Sequence, residues 1–69
     1  MKTVFTGDLK HFVDPAIGQK VLRFLLDEGQ RAQRVVERAL VVNVAGKTIM
    51  ATGRYDPISD TLTVNGNLN

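Results

Sequence analysis

The sequence predicts a single small α+β domain spanning residues 1–69, of order β-α-β-β-β, with one helix packed on an antiparallel sheet whose C-terminal part is a three-stranded meander. Three observations lead there. From Val35 to Gly66 apolar and polar residues alternate, with Gly or Pro wherever the backbone must reverse. From Asp14 to Glu28 apolar residues recur at helical spacing instead. And 69 residues are enough for one core only, near the size at which that core is marginal and association often contributes.

At the amino end, Lys2 to Thr6 reads as a short strand with Val4 or Phe5 pointing inward, and Gly7-Asp8 turns the chain. His11, Phe12 and Val13 then lead into the helix, with Phe12 placed beneath its first turn. Asp14 suits the N-cap, Pro15 the first helical position, and Gly29 a left-handed C-cap. Ile17, Val21, Phe24 and Leu25 share one helix face at i, i+4, i+7 and i+8 and are expected to be buried. Gly18 costs the first turn about 1 kcal/mol relative to Ala.

The stretch from Gln30 to Arg38 supports two readings. As helix, it extends a seam of Leu22, Leu25, Gly29, Ala32, Val36 and Ala39, with Asp27 and Arg31 as an i,i+4 pair. As turn and strand, it breaks at Gly29 and begins a β-strand near Val35. The second reading is preferred, since Val36, Arg38, Leu40, Val42 and Val44 then prolong one strand face.

Gly46-Lys47 is predicted to be a two-residue hairpin loop, with Ala45 opposite Thr48, Val44 opposite Ile49, Val42 opposite Ala51, Leu40 opposite Gly53 and Arg38 opposite Tyr55. One face then carries Leu40, Val42, Val44, Ile49, Ala51 and Tyr55, and a one-residue slip would scatter that set over both faces. Asp56-Pro57-Ile58-Ser59 forms the next loop, pairing Tyr55 with Asp60, Gly53 with Leu62 and Ala51 with Val64; Asn65-Gly66 ends the last strand.

Composition limits function. There is no cysteine, which excludes a disulfide scaffold, a thiolate nucleophile and a cysteine-based zinc site. The longest apolar run in the helix is Phe24-Leu25-Leu26, so no membrane span is expected, and without the apolar core of a signal peptide the expected location is the cytoplasm. Nine Lys and Arg against seven Asp and Glu give a net charge of +2, a weak field despite a pI near 9.4.

No catalytic constellation assembles. His11 is the only histidine and Asp14 is explained as a cap; Asp56 and Asp60 are explained by the turn they bracket. Ser59 lacks an elbow motif, a base and an oxyanion hole, and Gly46-Lys47 lacks the rest of a phosphate loop. The expectation is therefore a non-enzyme with no catalytic residue, metal or cofactor.

Two binding surfaces remain. The sheet face away from the helix should present Val41 and Met50 near its centre, with Asn43, Thr48, Thr52 and the threonines of the last strand around them, and this face, or an exposed edge strand, is the expected protein interface for self-association and for another protein. The leading expectation is thus a small regulatory or interaction module that forms a homodimer or higher closed oligomer. The alternative is an accessory nucleic-acid-binding protein using Arg31, Arg34, Arg38, Lys47 and Arg54; Arg31, Arg34 and Arg38 would form a basic stripe if their stretch were helical. No aromatic side chain interleaves with these arginines, so nothing supports a base-stacking platform.

Overall fold

A computed structural model describes residues 1–11, 18–19, 22–44 and 46–67. Strand β1 (Lys2–Gly7) runs into a 3₁₀ turn (Asp8–His11), and helix α1 (Arg23–Ala32) precedes the meander of β2 (Val36–Val44), β3 (Lys47–Asp56) and β4 (Thr61–Gly66). The helix lies on one face of a four-stranded sheet of order β1-β4-β3-β2. The α+β class and the meander are as the sequence indicates. The sheet is mixed rather than antiparallel throughout, because β1 pairs with β4 in parallel, Phe5 beside Val64 and Thr3 beside Leu62. Parallel pairing requires a crossover connection, and here the whole chain up to β4 separates the two strands.

The core is Leu9, Leu22, Leu25, Val36, Leu40, Ile49, Ala51, Tyr55, Leu62 and Val64, with Phe5, Leu26 and Val42 packed at its border. Leu40, Ile49, Ala51 and Tyr55 fall on the face assigned to them by alternation. Phe5, not Val4, is the inward residue of β1. The side chain of Val44 lies outside the described residues, as do Phe12, Asp14, Pro15, Ile17 and Val21, on which the N-cap and part of the helix face were placed.

Both hairpins differ from their predicted pairing by the same even step. Val42 faces Ile49 rather than Ala51, Leu40 faces Ala51 and Val36 faces Tyr55. Val44 pairs with Lys47, so Lys47 belongs to β3 rather than to the loop, and Gly46 supplies the positive φ of 76°. Likewise Tyr55 faces Leu62 rather than Asp60 and Gly53 faces Val64, so the loop is Pro57 to Asp60. A shift of two residues moves every partner and leaves every side chain on its own face. In the second loop the reason is local: the Asp56 carboxylate accepts the Ile58 N–H at 2.9 Å, capping the turn from the last residue of β3, and Asp60 takes the left-handed conformation at φ 52°.

Helix α1 does not end at Gly29. It continues to Ala32, and Gln33 becomes the left-handed cap at φ 57°, its N–H donating to the Gly29 carbonyl at 2.8 Å and its side-chain amide to the Gln30 carbonyl at 2.6 Å. Gly29 serves packing instead of capping: a Cβ there would lie 2.4 Å from Cδ2 of Tyr55. The buried seam is Leu22, Leu25 and Gly29, spaced i, i+3, i+7. Phe24 sits about 100° around the helix from Leu25 and is 51% exposed, contrary to the expected buried face. The ion pair that ties the helix to the sheet is Glu28 with Arg38 on β2 rather than Asp27 with Arg31; both partners are about half exposed, so it contributes at most about 1 kcal/mol.

Candidate functional site

Alternation along the strands decides what the uncovered face of the sheet carries. Since Leu40, Ala51 and Leu62 point to the helix, their neighbours Val41, Met50 and Thr63 point away. Val41 and Met50 are direct cross-strand partners, 64% and 70% exposed, and no described element covers them. Ala39 opposite Thr52 and Asn43 opposite Thr48 flank the pair, all of them exposed. The four residues singled out from the sequence for a protein interface, Val41, Thr48, Met50 and Thr52, therefore form one contiguous patch across β2 and β3. Asn43, placed on this face from the sequence, adjoins them, and Ala39 belongs to it as well; its parity with Val41 was the signal for including it.

Towards the other end of the same face the character becomes polar. Arg54 lies between Glu37 on β2 and Thr63 on β4. Rather than forming an ion pair with Glu37, it lines an open cavity of about 210 Å³ together with Asp56, Ser59, Thr61 and Thr63. On β1, Thr6 donates its hydroxyl hydrogen to the Asn65 side chain at 2.8 Å, so this border is held by side-chain bonds.

The basic residues proposed for nucleic acid are not gathered onto one surface. The helix ends before Arg34, so Arg31, Arg34 and Arg38 do not make the helical stripe that continuous helix would have given. Arg38 belongs to β2 on the helix side and is engaged with Glu28. Arg54 has the opposite parity and points to the uncovered face, while Lys47 stands at the far hairpin.

Two ionisable groups with displaced equilibria meet at the end of β3. Tyr55, 1% exposed, donates its hydroxyl hydrogen to Asp60 Oδ1 at 2.6 Å. That bond is the first cause raising the tyrosine above its ordinary value of 10.0, with burial second, and it is also what holds the Asp60 carboxyl below the ordinary aspartate value. The other Asp60 oxygen lies 3.4 Å from the amino group of Met1. The pair links β3 to the loop that follows it, and both of its members are accounted for by folding. Asp56 and Asp60 do not act as a carboxylate pair, in keeping with the turn-based reading: Asp56 accepts the Ile58 N–H and Asp60 accepts the Tyr55 hydroxyl.

Among the described residues no three His, Cys, Asp or Glu side chains are grouped so as to hold a metal ion, and no helix is long and apolar enough to cross a membrane. Comparison with protein-family models, with curated proteins and with solved structures found no match.

Proposed function

We propose that the chain is a small non-enzymatic interaction module that self-associates and engages another protein through the uncovered face of its sheet. The observation that carries this is the cross-strand pair Val41 and Met50, two large apolar side chains facing solvent at the middle of a sheet, 64% and 70% exposed. Scattered apolar residues on a surface are ordinary; an adjacent pair bordered by Ala39 and by short polar side chains is a patch that a partner can dry. Completing the burial of one such side chain is worth about 1–2 kcal/mol, taking two-thirds of the full Val or Met value, and an isologous contact counts each twice. For a 69-residue chain with a small core that gain matters.

Sedimentation at micromolar concentration tests the self-association directly. A dimer or higher closed oligomer is expected, and Met50→Lys should move it towards monomer with the circular dichroism spectrum unchanged. A wild-type chain that stays monomeric at several hundred micromolar overturns the reading. The nucleic-acid alternative has less behind it, since one of its arginines is engaged by Glu28 and another faces away from the rest. Tight DNA or RNA binding that falls steeply with salt, and that Ala at Arg31, Arg34 and Arg38 abolishes, would raise it above the first reading.

A further inference from the structure

We infer that strand β2 is the seam of a continuous intermolecular sheet, pairing antiparallel with β2 of a second copy about a two-fold axis through Val41. This rests on the reading that the chain self-associates, and specifies how. In the order β1-β4-β3-β2, strand β2 has β3 on one side and no described strand on the other. A sheet edge presents backbone N–H and C=O groups that another strand satisfies best, and proteins that stay monomeric usually blunt it with a charge, a proline, a bulge or a short strand. At β2 the charges are confined to Glu37 and Arg38 at its start, and the other devices are missing. The strand is nine residues long, its register against β3 is unbroken from Val36 to Val44, and from Ala39 to Val44 it carries neither charge nor proline. The opposite edge, β1, is shorter and begins with Lys2.

The occupant is a second copy because the strand is complementary to itself. Two copies related by an axis normal to the sheet keep both helices on the same side, so residues of equal parity must meet. Centred on Val41, Leu40 meets Val42 of the other copy, Ala39 meets Asn43, and neither Glu37 nor Arg38 meets a like charge. Centring on Leu40 instead would bring together two side chains that are already buried at 7% exposure. Val41 still has most of its surface to lose, and the Val41 centre sets Met50, Val41 and their two counterparts in one apolar row across the seam.

The chain has no cysteine, so single cysteines report the seam without interference. Ala39→Cys, Val41→Cys, Asn43→Cys and Met50→Cys all lie at exposed positions. Each is oxidised at a concentration where sedimentation shows the dimer. Val41→Cys is expected to cross-link rapidly to its own copy, since directly opposed residues in an antiparallel pair have Cα atoms within disulfide reach. Ala39→Cys and Asn43→Cys would sit roughly 13 Å along the strand from their copies, and Met50→Cys roughly 14 Å across it, too far to bridge. Faster cross-linking at 39 or 43 than at 41 overturns the Val41 centre. Cross-linking at 50 with none at 41 shows face-to-face stacking, which overturns the seam and leaves self-association standing. A wild-type monomer at several hundred micromolar removes both.

Discussion

Replacing Gly29 with alanine decides whether this glycine is there for the helix or for the tyrosine beneath it. By helix propensity alone, Gly29→Ala in the second turn of α1 should stabilise the domain by about 1 kcal/mol. The new Cβ, however, would lie 2.4 Å from Cδ2 and 3.1 Å from Cε2 of Tyr55. That ring has little room to yield: it is 1% exposed, and its hydroxyl is held by Asp60 at 2.6 Å. Overpacking a filled core costs about 1–3 kcal/mol, and a contact this short belongs at the upper end, so the net is a destabilisation of about 1–2 kcal/mol. In a chain of 69 residues that lowers the melting temperature by roughly 5–15 °C. Thermal unfolding followed by circular dichroism gives the sign as well as the size. A double-mutant cycle with Tyr55→Leu then locates the cause, because with the ring gone the alanine should recover about 1–2 kcal/mol of its cost. A Gly29→Ala protein that melts at or above the wild-type temperature would refute the packing role and restore propensity as the governing term.

Four further expectations can be measured. Leu40→Ala should cost about 2–4 kcal/mol in urea unfolding, while Val41→Thr next to it should change stability by less than about 0.5 kcal/mol at concentrations too low for association; similar costs at both positions would contradict the assignment of faces. Because the Asp60 carboxyl is held below its ordinary value, the stability it contributes is present above the unfolded aspartate range and is lost as pH falls through the folded value, and Asp60→Ala should remove that acid-side dependence. At the other end, Tyr55 is raised, so its contribution is full below pH 10.0 and declines as pH rises through its folded value; in Asp60→Ala its ultraviolet titration should move back towards 10.0, and an unmoved midpoint would discount the hydrogen bond as the main cause. Binding to duplex DNA is expected to be weak at physiological salt, with little change when Arg31, Arg34 and Arg38 are replaced by alanine, as fluorescence anisotropy across a salt series would show.

Face was more legible in the sequence than partner, and the two hairpins show why. Side chains alternate with a period of two, so the pattern Leu40, Val42, Ile49, Ala51, Tyr55 identifies the buried face but is unchanged when a strand slides by two residues. Only turn chemistry separates such registers, and there the residues were ambiguous: Gly46 fits either central position of a two-residue loop, and Asp56 caps the Pro57 turn equally well from inside the strand. The helix end failed for a different reason. Glycine after an apolar stretch is a common C-cap signal, yet the same residue is required wherever a backbone approaches an aromatic ring, and Tyr55 lies far from Gly29 in sequence. Phe24 was assigned to a face built partly on Ile17 and Val21, whereas Leu22 and Leu25 set the buried seam. The patch at Val41 and Met50 was readable because it depends on parity alone.

The exposed edge was not readable, because it is created by a long-range choice. In a meander the middle strand is always covered, but whether β2 or β4 is left open depends on where β1 goes, and nothing local to the meander encodes that. Here Phe5 packs into the core beside Val64 and the Lys2 N–H donates to the Asp60 carbonyl at 3.0 Å, so β1 closes the β4 side and leaves β2 outermost. The strand left open is thus the one whose Ala39–Val44 stretch lacks the usual defences, and it also carries Val41, half of the apolar pair. Had β1 joined β2 instead, the exposed edge would have been β4, whose Thr61, Thr63 and Asn65 give its outward face a polar character. The topology thereby brings an unprotected edge and an uncovered apolar face to the same strand, and one contact through β2 reduces both.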